Sequence, residues 1–234
     1  MVEQTIGSKR SVLCWTLCLW LTLALASNGG LVSAQEVHPL QAKLEGLWSR
    51  GGGGPPAETL FELQAESILT AETEAYRRAY RFEEHDDEAL CQLRSPAAFA
   101  GSAADFEILD RGHAIYIIVF GQVRRVYLDG RGPPVGFWPN KLGWSGGHWD
   151  GNTLVVITTD LTQGAISNNV EPIPFGGPDA EMIERYTLSE DGTRLSVQIN
   201  LQDPKYYTHP MEFHFDFARA EKTLHGADCI PSMY

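Results

Sequence analysis

His148 and Asp150 stand two residues apart in the run Gly143-Trp144-Ser145-Gly146-Gly147-His148-Trp149-Asp150-Gly151, and residues two apart on a strand share a face. An imidazole oriented by a carboxylate is the equipment of a general base. The plainer reading of Gly147 to Gly151 is the end of a strand running into a turn. A second constellation is Met211-Glu212-Phe213-His214-Phe215-Asp216-Phe217, where alternation sets the phenylalanines on one face and Glu212, His214 and Asp216 on the other. If the phenylalanines fill a core, the polar set is a solvated surface. If a polar lumen takes the other face, His214 is a second candidate base.

Arginines and aromatics suggest binding rather than turnover. Arg124 and Arg125 are adjacent, so on a strand they send one side chain to each face, and one of them points inward. A buried guanidinium needs a partner: Asp129, Glu184 or Asp203 can pair with it, or it can hold a ligand carboxylate. Arg125 and Arg131, with Tyr127, Phe137, Trp138, Trp144 and Trp149, form a set suited to line the mouth of a cup. The segment Gly143 to Gly147 has the spacing of a hydrolase G-x-S-x-G elbow. That elbow needs a parallel strand before the serine and a helix after it. Here Pro139-Asn140 precedes and a hairpin follows, so Ser145 is expected to make a turn hydrogen bond. The seven histidines form no H-x-H, H-x3-H or HExxH set, and no metal site is legible. Asp150 and Asn152 read as an Asp-Gly-Asn turn rather than a calcium loop. No cofactor is implied.

The elements that must position these residues are mostly strands. Residues 106–109, 114–120, 122–128, 153–159, 181–188, 194–201 and 211–218 read as strands, with turn signals at Asp129-Gly130, Asp150-Gly151-Asn152 and Asp191-Gly192. Short consecutive strands joined by tight turns, without βαβ alternation, predict an all-β, mainly antiparallel meander closed as a barrel or packed as a sandwich. Before Pro96 the chain differs. Residues 40–50 read as a turn and the tripeptide Gly46-Leu47-Trp48; Gly51 to Gly54 is a joint; and Ala57 to Phe82, with apolar residues at helical spacing, predicts one or two helices. The acidic run Glu83 to Glu88 reads as a solvated face. The expected organisation is a helical and glycine-rich segment, 35–95, packed on a barrel, 96–234.

Lys9 and Arg10 precede an apolar run from Val12 to Ala26 that closes on Val32-Ser33-Ala34. This is the pattern of a secretory signal peptide over residues 1–34, too short to span a bilayer, with no membrane insertion expected after cleavage. The mature protein is then exported, periplasmic or extracellular. Cys14 and Cys18 leave with the signal, and Cys91 and Cys229 are expected to pair as a disulfide. A formal net charge of −12 excludes nucleic acid as a natural partner, because nothing would neutralise phosphates.

The chain resembles a family of secreted bacterial proteins of no settled activity. They carry a YxDGR segment, here Tyr127-Leu128-Asp129-Gly130-Arg131, and a G-x-S-x-G-x-W-[DE]-G-[DN]-T-L-V-V segment, here Gly143 to Val156. The resemblance continues through Glu184-Arg185-Tyr186, Asp191-Gly192 and Asp203-Pro204 to Cys229. It implies a lipocalin-like β-barrel. Trp144 stands where family members often have histidine, and Gly176 to Ala180 replaces their Gly-x-Pro-His-Ser stretch, so a retained ligand cavity with altered chemistry is implied. Three readings follow: a barrel binding a small, largely apolar molecule in its cup; a cofactor-independent lyase or isomerase using His148 or His214 as base and an arginine for the developing anion; and a structural envelope protein without a ligand.

Overall fold

The computed structural model describes residues 37–50, 68–87, 89–102, 104–119, 121–166 and 172–221. The expected signal peptide, the glycine run and Cys229 lie outside these residues. Nine strands close into a barrel: β1 (Gly46–Arg50), β2 (Phe106–Asp110), β3 (Ala114–Val119), β4 (Gln122–Tyr127), β5 (Trp144–Asp150), β6 (Thr153–Thr159), β9 (Glu181–Leu188), β10 (Arg194–Gln202) and β11 (Met211–Ala220). Two short strands, β7 (Gly164–Ala165) and β8 (Pro174–Phe175), pair with each other outside it. The ring order is β1-β11-β10-β9-β6-β5-β4-β3-β2, so each barrel strand lies beside its neighbours in sequence, and β1 closes the ring between β2 and β11.

An odd ring cannot alternate in direction throughout; two neighbours must run the same way. That joint falls between β4 and β5, held in register only by Val126 opposite Ser145 and Tyr127 opposite Gly146. The other pairings are antiparallel. A parallel pairing needs a long return connection, here the segment from Leu128 to Gly143, which enters β5 through a glycine where any side chain would be strained. Gly143 has φ +63°, and a Cβ on it would lie 2.3 Å from the Thr159 carbonyl oxygen.

Alternation along the strands fills the interior. In β11 burial alternates strictly from Met211 to Phe217, with Met211, Phe213, Phe215 and Phe217 in the core and Glu212, His214 and Asp216 exposed. Phe106, Ile117, Val126, Leu154, Val156, Met182, Leu188 and Val197 join the same cluster. Each fully buried side chain of this kind contributes roughly 1.5–3 kcal/mol.

Several expectations need correction. The tripeptide at Gly46 is a strand that closes the barrel, so a stave of the ring comes from before Pro96. The chain after Pro96 begins with a helix, α4 (Pro96–Ser102), before the strands start. Of the expected helical region, 57–82, the described part holds α2 (Ala71–Ala79); a further short helix, α3 (Phe82–His85), runs into the acidic stretch, and α1 (Gln41–Leu44) precedes β1. Thr70 caps α2, its Oγ1 accepting from the Thr73 N–H at 3.4 Å. The same hydroxyl donates to the Lys205 carbonyl at 2.7 Å, and Thr73 Oγ1 donates to that of Tyr206 at 2.6 Å, tying the helix to the turn before β11. The acidic run is only partly solvated. Asp86 and Asp87 are buried: Asp86 accepts from the Tyr80 hydroxyl at 3.0 Å, and Asp87 pairs with Lys141 at 2.8 Å.

Candidate functional site

The wall on either side of the parallel joint carries two different constellations. Inside it, Arg124 is 4 % exposed and belongs to the same inward row as Val126. Its Nε donates to Ser145 Oγ at 3.0 Å, one Nη donates to Thr158 Oγ1 at 2.9 Å, and the guanidinium grips the Glu184 carboxylate through both Nη atoms, one contact at 3.0 Å. Ser145 and Thr158 bond each other at 2.9 Å, and the Tyr186 hydroxyl donates to Glu184 Oε1 at 2.6 Å. Burial opposes the Arg124 charge, but the Glu184 carboxylate outweighs it and holds its pKa above the ordinary value. Burial, with the Glu184 charge, raises the Tyr186 phenol well above its ordinary value.

This cluster spans four strands, β4, β5, β6 and β9, and crosses the joint, so side chains replace the ladder where β4 and β5 exchange few backbone bonds. Glu184 sits between Met182 and Tyr186 on the inward row of β9, which strand parity alone dictates. Beside the pair lies a cavity of about 40 Å³, walled by Phe106, Ile117, Val119, Ile199, Phe215 and Phe217. It has room for a few waters and no more.

Outside the wall lies a groove of about 370 Å³ over the same joint. Tyr116, Arg125, Tyr127, Phe137, Asn140 and Trp144 line it, and Arg124 and Ser145, whose side chains are buried, border it. The Tyr127 and Trp144 rings stack across the joint with centroids 4.5 Å apart and planes 13° apart, and Phe137 meets Trp144 edge-on at 5.4 Å. Arg125 donates to the Tyr127 hydroxyl at 3.0 Å, and its guanidinium lies 5.0 Å from the Tyr116 ring centroid. Register explains the meeting: Tyr116 faces Arg125 across β3 and β4, and Tyr127 faces Gly146, which carries no side chain to block it.

The structure therefore divides the sequence's binding set. Tyr127, Arg125 and Trp144 come together, with Phe137. Arg131 stands next to them, its guanidinium 5.0 Å from the Tyr127 centroid on an exposed ion pair with Asp129, whose carboxyl its hydrogen bonds hold below the ordinary range. Trp138 is 82 % exposed on the loop and does not line the groove. Trp149 is five residues from Trp144 and so on the opposite face, where it packs against the core and stacks on His38 at 4.2 Å. Its indole N–H is buried without a hydrogen-bond partner among the described residues.

The proposed bases lie elsewhere. His148 and Asp150 share the outer face of β5, both exposed, and neither lines the groove or the inner cavity. His214 is on the solvated face of β11, where its Nε2 meets Ser196 Oγ at 2.8 Å and Asp216 at 3.5 Å. Ser145 makes no turn bond; it is buried in the Arg124 cluster. Sequence reasoning named Arg124 and Glu184 as a potential pair but missed Thr158, Ser145 and Tyr186. The parity of Tyr186 and Glu184 on one strand was the available signal. No group of three or more histidine, cysteine or acidic residues among the described residues is placed to hold a metal ion. Comparison with protein-family models, curated proteins and solved structures finds no match to this chain.

Proposed function

We propose that the protein is an exported small-molecule-binding barrel whose ligand lies in the groove over the β4–β5 joint. The observation that carries the reading is the aromatic stack that spans this joint, where only two residue pairs hold the backbone ladder. A space of about 370 Å³ falls within the roughly 300–1,000 Å³ of ligand sites. The inner cavity does not reach that size, so the ligand is placed against the wall rather than deep in the lumen. Binding is preferred to the lyase or isomerase reading because a base must be within hydrogen-bond reach of its substrate, and His148 and His214 line neither space. The segment from Lys9 to Ala34 supports export, and the resemblance to secreted barrels agrees with it.

Native mass spectrometry of the protein purified from its own source tests the reading. A small molecule retained by the natural protein and lost in Trp144→Ala supports it. A bare mass, together with no binding of aromatic fragments at millimolar concentration, overturns it in favour of a structural envelope protein. The mature N-terminus is expected at Gln35; a purified protein that still begins at Met1 contradicts export by cleavage.

A further inference from the structure

The groove's electrostatics do not follow those of the chain. The protein has 30 acidic against 18 basic side chains, yet among the described residues no aspartate or glutamate lines the groove. Arg125 does, and it is exposed on the outer row of β4. Its described neighbours are phenols, Tyr127 and Tyr116, and no carboxylate among the described residues comes within ion-pair distance of it. The contrast with its surroundings is informative, because the nearby cations are already paired: Arg131 with Asp129, Lys141 with Asp87, and Arg124 with Glu184. Where carboxylates outnumber cations so heavily, an arginine whose one described hydrogen bond goes to a phenol keeps its remaining forked donors for something else.

Resting on the binding reading above, we infer that the ligand is an organic anion, a planar aromatic body carrying a carboxylate, with Arg125 gripping the acid and Trp144 and Tyr127 holding the ring system. An aromatic body suits stacked walls, and a carboxylate matches the guanidinium fork in a bidentate geometry that an ammonium would not offer. The strong negative charge of the rest of the chain repels anions at long range, so the acid is recognised at contact distance and within the Debye length of Arg125.

The test uses two probes of the same shape, naphthalene-2-carboxylate and its uncharged isostere 2-naphthamide, titrated by calorimetry into the natural protein, Arg125→Gln and Trp144→Ala. The expected result is that the carboxylate binds at least tenfold tighter than the amide, that Arg125→Gln weakens the carboxylate far more than the amide so that the preference is lost, and that Trp144→Ala weakens both. Arg125 is exposed, and Arg125→Gln is expected to fold; its circular dichroism and melting curve confirm this before titration. Equal affinity for the two probes in the natural protein overturns the anion inference and leaves the groove reading standing. Binding insensitive to both substitutions, or no binding of either probe, overturns the groove reading as well.

Discussion

Arg124 and Arg125 are neighbours in sequence and live in different solvents. Arg124 is inside the barrel, gripping Glu184 with Ser145 and Thr158 on its remaining donors; Arg125 is outside, over tyrosine rings with no carboxylate among the described residues beside it. The first is a structural arginine by every physical criterion: desolvated, ion-paired and satisfied. The second has the same chemistry at its tip and none of these constraints. A one-residue step across a pleated wall is enough to turn the same guanidinium from a rivet into a candidate anchor.

The comparison breaks most visibly in stability. Arg124→Ala leaves the Glu184 carboxylate buried without its partner and is expected to cost on the order of 3–5 kcal/mol in urea unfolding. Arg125→Ala, one residue along, is expected to stay within about 0.5 kcal/mol of the natural protein. Similar losses at both positions would mean that Arg125 is structural too. The paired replacement Arg124→Met with Glu184→Leu is expected to recover most of the single-site loss, because it removes both charges at once.

Alkaline pH sharpens the difference from the other side. Tyr186 and Tyr207 are buried, and burial raises both phenols well above their ordinary value. Above about pH 10 the unfolded chain releases these protons, while the folded chain keeps them. The folded state then binds more protons, so stability falls as pH rises through that range, by about 1.4 kcal/mol per pH unit for each fully shifted group. Tyr76, pushed up to about 12 chiefly by burial and then by the Asp87 charge, adds a smaller share because it is only half-buried. Urea midpoints measured between pH 8 and 11 are expected to be flat and then to decline. Tyr186→Phe is expected to flatten part of that decline, and an unchanged profile would contradict the burial of the Tyr186 hydroxyl against Glu184.

The smaller effects concern the outer face. Trp144→Ala forfeits the stack with Tyr127 and the edge contact with Phe137, about 0.5–1.5 kcal/mol for each such pair, and melting curves should show a modest loss. His148→Ala and His214→Ala are expected to change neither probe affinity nor stability by more than about 0.5 kcal/mol. A substrate whose turnover disappears in either variant would restore the enzyme reading. Intact mass of the mature chain, two hydrogens below the reduced value, is the expected sign of the Cys91–Cys229 disulfide.

Much of this architecture was legible because alternation is a strong signal: Phe213, Phe215 and Phe217 announce β11, and Asp150-Gly151-Asn152 announces its hairpin. β1 escaped because Gly46-Leu47-Trp48 is too short to display a period and becomes a strand only through pairing with β11 and β2. The parallel joint escaped for a different reason. Its necessity follows from the odd number of strands, which cannot be counted until β1 is found. Within the site, the sidedness of Arg124 and Arg125 followed from their adjacency. The grouping of Trp144 with Trp149 ignored their odd separation, which places them on opposite faces. Trp138 lies on the loop between β4 and β5, where no period assigns a face. Glu184 was one of three candidate partners, and the choice among them rested on register, which β9 shares with β6 and β10 rather than with β4.

The central claim, that the outer groove is where a ligand meets this barrel, is tested most directly by following the tryptophan indole N–H signals of the mature protein in a two-dimensional nitrogen–proton spectrum during titration with naphthalene-2-carboxylate. Assignment comes from Trp144→Phe and Trp149→Phe. A saturating shift of the Trp144 signal, with those of buried Trp48 and inward-facing Trp149 unmoved, is the expected result. Movement of Trp149 or Trp48 with Trp144 unchanged would place the ligand in the lumen and contradict the account.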